Sequence, residues 1–435
     1  MSANRVHETT PGTAAPPEYR PVMAWVITGM LVLFIVVNWA DKTVFGIAAQ
    51  PLKEELGLTS AQIGFIGSAF FFLFSITGLA VGFIGNRVRT KWVLLALAAL
   101  WSLTMVPVLV SASAVTLLIS RIGLGAAEGP AGAMANAGAF EWFPKEKRSF
   151  PSAWLSSGAS IAKIAIAPVL ALIVAVWGWR AAFLALALIG VVWCAAWALI
   201  GREGPFSAHR TQVAAAEEPA LQQRVPFRKI ALSGTFVGGV IGTFTMYGMV
   251  SVILTWLPSY FEVGLGIDRL QAGAMFGLPS ISSMIAMLGV SWISDRRVSA
   301  GASSRVQRGI VPAVALLIGG GLLALLPYIG SPVLAISAVV LGYGIGVVSL
   351  PLANAALSQI CPPRQQAGAL GVFLALQTSS GLIAPALTGV LVDLAASPGA
   401  GFALAFQVFG LAVMVGGIAT MLLVNPDRDA ARILG

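Results

Sequence analysis

Residues 120–136 read SRIGLGAAEGPAGAMAN, an apolar stretch of small residues that contains one arginine and one glutamate. Arg121 and Glu128 are seven residues apart. That spacing is close to two helical turns, so in a helix both side chains point from the same face. A charge at the centre of a bilayer costs about 2.5 to 3.5 kcal/mol even on the lenient insertion scale. If this stretch spans a membrane, its two charges need a polar cavity or partners.

The composition indicates an integral membrane protein. Of the 435 residues, 57% are hydrophobic and 10% are charged, whereas soluble domains carry about 25% charged residues. Apolar runs of the length that a bilayer demands predict an all-α membrane protein with twelve transmembrane helices. We place these helices at 22–46, 60–84, 91–111, 113–137, 150–175, 178–200, 230–256, 269–294, 308–327, 331–358, 364–392 and 400–424.

The net charge of +9 is explained by topology. With both termini on one side of the membrane, twenty basic residues fall on that side, and Lys53, Arg180 and Arg269 fall on the other. Since basic residues accumulate in cytoplasmic loops, we expect a multi-pass protein of the cytoplasmic (inner) membrane with both termini inside. Gln50 to Ser60 is then an external loop. This distribution argues against nucleic acid as a partner.

The polar run from 201 to 229 is the longest break in hydrophobicity. It separates two six-helix halves of similar outline, an internal repetition typical of transporters that bind substrate between their halves. We therefore expect a disordered cytoplasmic tail, an N-terminal half, a cytoplasmic linker, a C-terminal half and a second cytoplasmic tail. These segments cover residues 1–21, 22–200, 201–229, 230–424 and 425–435, respectively.

The chain after residue 21 resembles the major facilitator superfamily. The basic turn after the second helix is loosely similar to that family's gate loop: Arg87 fits, whereas Asn86 stands where an acid is usual. Asp295, in SWISDRR after helix eight, keeps the acid of the second copy. The resemblance implies that Asn86, Arg87 and Asp295 belong to a cytoplasmic gate.

Within the superfamily, the chain is most similar to the anion:cation symporters. Asp41-Lys42 resembles that group's Asp-Arg pair, and Arg121 with Glu128 resembles its Arg-x6-Glu on helix four. The segments WFPKEKR at 142–148 and ILTWLP at 253–258 are similar to two further motifs. The resemblance implies proton-driven uptake of an organic carboxylate, either a sugar acid or an aromatic carboxylate, by alternating access and without a cofactor. Sodium remains open as the coupling ion.

The charged residues inside the predicted spans form the candidate site. They sum to +1 when all are ionised, a charge that accepts a monoanion, and they are Asp41, Lys42, Arg121, Glu128 and Lys163. We expect the planar fork of Arg121 to bind the carboxylate, Glu128 to couple the proton and Asp41 to be a second proton site. Lys42 is either a second anion contact or a residue that snorkels to the interface, and Lys163 either contacts the anion or neutralises an acid.

Other candidate substrate contacts are aromatic or neutral polar. Trp39 and Phe74 stand where sugar-acid members commonly have tyrosines, which favours a less hydroxylated, aromatic acid. The second half offers polar or amphipathic side chains because buried hydroxyls and amides need partners, and these are Tyr247, Asn354, Gln377, Ser379 and Ser380.

Enzyme and metal signatures are absent from the sequence. Its two histidines, His7 and His209, lie in predicted cytoplasmic segments. We expect a monomeric transporter whose partners are an organic anion, protons and the lipid bilayer. Two alternatives are disfavoured. Drug exporters of the superfamily usually carry a G-x3-G-P-like motif in helix five, whereas Gly158 and Pro168 are ten residues apart, and a cavity of net positive charge would repel a cationic drug. A membrane receptor or sensor would carry a soluble signalling domain, and the longest polar segment, the linker, has only 29 residues.

Overall fold

The computed structural model describes residues 20–84, 88–144, 147–207, 225–362 and 365–434. Within these ranges the chain forms helices and no β-strands. The first half contains α1 (Pro21–Leu56), α2 (Ser60–Ile84), α3 (Thr90–Val110), α4 (Ala114–Glu128), α5 (Ala131–Phe140), α6 (Ser149–Ile161), α7 (Ala167–Trp177) and α8 (Trp179–Ile200).

The second half also consists of long helices that short irregular turns interrupt. It contains α9 (Phe227–Ala231), α10 (Gly234–Ser259), α11 (Arg269–Ala274), α12 (Leu278–Ser299), α13 (Val311–Ala324), α14 (Pro332–Val347), α15 (Ser349–Ile360), α16 (Gln366–Thr378), α17 (Ala384–Leu394), α18 (Pro398–Leu423) and α19 (Pro426–Leu434). π-Helical turns occur at Ala162–Ile166, Tyr260–Gly264 and Val306–Ile310.

Eleven helical segments of the described residues are long and apolar enough to cross a membrane. The predicted fourth span is α4 followed by α5, which Gly129 and Pro130 separate. Neither α4, with 15 residues, nor α5, with 10, is long enough by itself to be one of the eleven. With this interrupted span, the predicted all-α membrane fold is confirmed. Large apolar side chains face outward as a bilayer requires: Leu103, Leu199 and Leu422 are 64%, 80% and 69% exposed.

The first helix is longer than predicted. The sequence interpretation ended it at residue 46 and made Gln50 to Ser60 an external loop, but α1 runs through Pro51 to Leu56. Ile47, Ala48, Ala49 and Leu52 are buried along this extension, so packing sustains the helix beyond its apolar run. The helix ends at Gly57, whose φ of 63° is a left-handed conformation that glycine adopts without strain.

The two halves of the chain contact each other closely near the α1–α2 connection. A Cβ atom at Gly46 of α1 would overlap the carbonyl oxygen of Leu254 on α10, and one at Gly64 of α2 would overlap that of Pro385 on α17. Such small residues let helix backbones approach in a membrane, where packing rather than hydrophobicity drives association. The halves are therefore closed against each other at this end.

The fifth span contains a π-helical turn at its midpoint. Pro168, the second residue of α7, has no N–H to donate, so the regular hydrogen-bond ladder is adjusted in the preceding turn, Ala162–Ile166. This turn carries Lys163. A Cβ at Gly277 of the second half would lie 2.6 Å from the carbonyl oxygen of Lys163, so the turn packs directly against the other half.

Candidate functional site

The charged face of the fourth span is buried because α4 packs closely on α2. Ser113 caps the start of α4 with a hydrogen bond from the Thr116 N–H. Further along, a Cβ at Gly125 or at Gly129 would overlap the carbonyl oxygens of Phe70 and Phe74, respectively. The small residues noted in the sequence thus bring α4 onto the backbone of α2. Arg121 and Glu128, 4% and 1% exposed, are both buried at this contact.

Lys42 joins α1 to α4 through a buried ion pair. Its Nζ pairs with Glu128 Oε2. The same Nζ donates to Asn38 Oδ1 at 2.7 Å and to the Asn38 carbonyl oxygen at 3.2 Å. The ammonium therefore does not snorkel to the membrane interface. Breaking one partner of such a pair leaves an uncompensated buried charge, which costs roughly 3 to 5 kcal/mol.

Arg121 has no carboxylate partner among the described residues. Its Nη1 donates to the Asp41 carbonyl oxygen over a long 3.4 Å, and its Nε has no hydrogen-bond partner in the part of the chain that the structure describes. The guanidinium carbon lies 4.4 Å from the centroid of the Phe45 ring and 5.2 Å from that of Phe70. A guanidinium with unused donors and aromatic neighbours is suited to bind a planar anion through two hydrogen bonds.

Asp41 is adjacent to Lys42 in sequence but is not paired with it. Its side chain is 1% exposed, and both carboxylate oxygens are buried without a hydrogen-bond partner in the described structure. Neighbouring residues on a helix point in different directions, and Lys42 is directed to Glu128. Asp41 can therefore gain or lose a proton without an ion pair being broken, whereas protonation of Glu128 releases Lys42.

Lys163 and Trp39 form the opposite edge of the charged group. The Lys163 Nζ lies 4.6 Å from the centroid of the Trp39 ring, and the Lys42 Nζ lies 5.1 Å from the same centroid. The structure therefore brings Lys163 beside Lys42 rather than beside an acid. The hypothesis that Lys163 neutralises Glu128 or Asp41 is wrong in this arrangement, because Glu128 is paired with Lys42 and Asp41 has no ionic partner among the described residues.

Phenylalanines line the charged group on the α2 side. The Lys42 Nζ lies 5.6 Å from the Phe70 centroid and 5.5 Å from that of Phe74. Phe71 makes edge-to-face contacts at 5.1 Å with Phe70 and at 6.1 Å with Tyr247 of α10, so Tyr247 reaches the same aromatic cluster from the second half. Phe45, absent from the sequence-based site, lies four residues after Asp41, a spacing that places both near one helix face.

The remaining polar candidates of the second half differ in their hydrogen bonding. The Ser379 and Ser380 hydroxyls donate to Leu376 and Gln377 carbonyl oxygens of their own chain segment. By contrast, Asn354 Oδ1 and Gln377 Oε1 are buried and have no partner in the described structure. Asn354 and Gln377 are therefore better placed than the serines to bind a ligand donor.

The gate candidates are only partly described. Asn86 and Arg87 lie outside the described residues. Asp295 on α12 is 69% exposed at its side chain and accepts a long 3.4 Å contact from the Arg308 Nη2. Metal-binding groups of three or more histidine, cysteine or acidic side chains do not occur in the described residues.

Comparison with known proteins supports a transporter. The family description "Major Facilitator Superfamily" matches residues 31–385. A probable sulfoacetate transporter of Cupriavidus necator is 27% identical over 414 residues, covering 92% of this chain and 93% of that protein. A hexuronate transporter of Bacillus subtilis is 27% identical over 407 residues, covering 91% and 94%. The solved structure of a bacterial homolog of the human lysosomal transporter Spinster has a TM-score of 0.76 at 16% identity, covering 96% of this chain and 98% of that one.

Proposed function

Because the chain belongs to the Major Facilitator Superfamily, we propose that it takes up an organic carboxylate anion together with a proton by alternating access. Two of its relatives are named as transporters of organic anions, one of sulfoacetate and the other of hexuronate. The single observation that supports the proposal most is a buried Lys42–Glu128 ion pair beside Arg121, which has no carboxylate partner in the described structure.

In the proposed mechanism, Glu128 couples the proton to the substrate. When Glu128 takes up a proton, Lys42 loses its ionic partner and becomes available to the anion together with Arg121. Linkage requires that the bound anion favours protonation by the same free energy as the proton favours anion binding. Asp41, whose carboxylate has no hydrogen-bond partner in the described structure, serves as the second proton site. Release on the inner side returns Lys42 to Glu128.

The walls of the site favour an acid with few hydroxyl groups. Trp39, Phe70 and Phe74 surround the Lys42 ammonium, and aromatic faces offer apolar contact rather than hydroxyl partners. An aromatic carboxylate or a short, unhydroxylated acid matches this lining better than a sugar acid does. Asn354 and Gln377 remain available for a limited number of hydroxyls.

The test is uptake by the purified protein in proteoliposomes. Labelled sulfoacetate, benzoate, glucuronate and galactonate are offered with an imposed inward proton gradient, and in parallel with an inward sodium gradient at equal pH. We expect accumulation of at least one acid with the proton gradient alone. Accumulation with sodium alone would contradict proton coupling, and transport of none of these acids would contradict the proposed substrate class.

Glu128→Gln separates coupling from binding. Glutamine mimics the protonated carboxyl, so we expect exchange of substrate across the membrane to persist while accumulation driven by the proton gradient is lost. Glu203→Gln is the matched control. The Glu203 carboxylate lies outside the site and pairs with the Arg89 Nε at a distance of 3.6 Å. A Glu128→Gln protein that still accumulates substrate against its gradient would rule out this role.

A further inference from the structure

Two cations in the candidate site have no acidic partner in the described structure. Lys163 contacts the Trp39 ring at 4.6 Å, and no described ion pair or hydrogen bond engages its ammonium. Arg121 contacts Phe45 and Phe70, and its one hydrogen bond is to a backbone carbonyl oxygen at 3.4 Å. Lys42 differs from both because Glu128 and Asn38 satisfy it.

The two unpaired cations lie on different sides of Lys42. Lys163 shares the Trp39 ring with Lys42, whereas Arg121 shares the Phe70 ring with Lys42. Cation and aromatic contacts therefore alternate from Lys163 through Trp39, Lys42 and Phe70 to Arg121. A single carboxylate bound by the fork of Arg121 leaves the Lys163 ammonium uncompensated, and charges inside a membrane require partners.

We propose that the substrate carries two anionic groups, one bound by Arg121 and the other by Lys163, with an apolar body between them against Trp39 and Phe70. This inference rests on the proposed function and narrows its substrate class to carboxylates that bear a second carboxylate or a sulfonate. It replaces the monoanion expected from the net charge of the five residues, because that sum let the two acids offset two of the three cations, whereas neither Arg121 nor Lys163 has an acidic partner in the described structure.

The backbone around Lys163 links the second anionic group to the other half of the protein. Lys163 belongs to the π-helical turn Ala162–Ile166, and π turns are frequent at functional sites. A Cβ atom added at Gly277 would lie only 2.6 Å from the Lys163 carbonyl oxygen. The turn that carries Lys163 therefore packs against the second half of the protein.

The experiment compares acids that differ by one charged group. Isothermal titration calorimetry of the purified full-length protein measures binding of butyrate against succinate and of benzoate against 4-sulfobenzoate. We expect wild type to bind at least one dianion about tenfold more tightly than its monoanionic counterpart, a difference of about 1.4 kcal/mol. Lys163→Met, which keeps the length and removes the charge, should abolish that preference by weakening the binding of the dianion more than that of the monoanion.

Two further variants separate charge from structure. Lys163→Arg retains a cation and should retain the dianion preference. Lys91→Met is the matched control, because the Lys91 Nζ also lies near a tryptophan, 5.5 Å from the Trp92 centroid, but outside the site. The Lys91→Met protein should bind both acids of each pair with the affinity of wild type.

The possible outcomes distinguish the inference from the function on which it rests. If wild type binds monoanions but shows no preference for either dianion, or if Lys163→Met weakens both members of a pair equally, the inference is overturned and the proposed function stands. If wild type binds none of the four acids and transports no organic anion in proteoliposomes, both are overturned.

Discussion

Arg121 and Lys42 illustrate how two cations in one cavity can have different chemistry. Lys42 is held by Glu128 and Asn38, so its charge is available only when Glu128 is protonated. The Arg121 Nε has no hydrogen-bond partner in the described structure, and no ion pair there joins Arg121 to Glu128. In the proposed cycle, Arg121 is thus the permanent anion contact and Lys42 the conditional one.

Arg121→Lys should weaken substrate binding even though the positive charge is kept. Lysine cannot donate two parallel hydrogen bonds to a carboxylate, and a hydrogen bond to a charged group is worth about 1.5 to 3 kcal/mol. We expect affinity to fall roughly ten- to hundredfold, and Arg121→Ala to lose binding. Titration calorimetry checks both variants.

Arg180→Lys provides the matched control for Arg121. The Arg180 guanidinium lies 4.3 Å from the Trp179 centroid and pairs with Glu55 at 2.6 Å, outside the site. Its replacement should leave affinity unchanged. Equal affinity of wild type and Arg121→Ala would disprove the anion contact.

Helical periodicity predicted some features of the site but not its pairing. The seven-residue spacing predicted that Arg121 and Glu128 share a helix face, and both are buried where α4 contacts α2. The choice of Glu128 as the partner of Lys42 depends on how closely α4 approaches α2, a tertiary quantity set by Gly125 and Gly129. The four-residue spacing of Asn38 and Lys42 was a usable local signal for their hydrogen bond.

At the scale of elements, the contact between α2 and α4 is the feature on which the site depends. Gly125→Val should separate these helices because its side chain would meet the Phe70 carbonyl oxygen. Overpacking of this kind costs roughly 1 to 3 kcal/mol, and displacement of α4 also moves Arg121. We expect lower thermal stability in detergent and weaker substrate binding.

Gly132→Val is the matched control for Gly125→Val. It lies in the same span, on α5, and a Cβ there meets nothing within 4 Å. It should change stability and binding little. Equal effects of the two substitutions would show that any added side chain in this span is harmful, rather than one at the α2 contact.

The terminal helix α19 is attached to the start of α10 by Asp429. This carboxylate accepts hydrogen bonds from the Thr235 N–H and hydroxyl, both at 2.7 Å, and from Arg428 Nε at 2.8 Å. Burial tends to raise the pKa of Asp429, but Arg428 and Thr235 together hold that pKa below its ordinary value. The sequence predicted only a tail at 425–435, since a nine-residue helix has little intrinsic stability without such docking.

The depressed pKa determines how the docking responds to pH. The contribution of ionised Asp429 is complete above its unfolded pKa of about 3.9 and is lost as pH falls through the lower folded value. Asp429→Ala should therefore lower the melting temperature at pH 7, by leaving buried donors unsatisfied, and have a smaller effect in strong acid. Asp295→Asn, at a 69% exposed side chain, is the control and should have little effect at either pH.

At the scale of the whole molecule, the closed end is held by polar contacts between the two halves. Asp393 at the end of α17 accepts hydrogen bonds from the N–H groups of Ser60 and Ala61 at 3.0 and 2.7 Å. Arg269 on α11 contacts Glu54 of α1 and Glu262, each at 2.7 Å. Asp393 therefore satisfies helix-end donors of α2 from the opposite half and complements the dipole of α2.

These contacts between the halves could not be predicted from the sequence. Composition and loop charges were sufficient for the twelve spans, because bilayer thickness imposes a length that apolar runs display directly. Asp393 and Ser60 are separated by 333 positions, and no periodicity links residues so far apart. Which end of the molecule is closed is also a property of the packed halves, since the same helices serve both states of an alternating-access cycle.

Asp393→Ala should shift the protein toward opening at the α1–α2 end. Removal of the carboxylate leaves two N–H donors of α2 to water, which costs the closed state roughly 0.5 to 1.5 kcal/mol per hydrogen bond. That change corresponds to a several-fold to about hundredfold larger open population. Spin labels on the exposed Ser111 and Ala396, with Cys194 and Cys361 replaced by alanine, would report a larger fraction of long distances. Asp268→Ala removes a cap within α11 itself and should leave the distance distribution unchanged. If Asp393→Ala also leaves the distance distribution unchanged, closure depends on the close helix contacts at Gly46 and Gly64 rather than on this carboxylate.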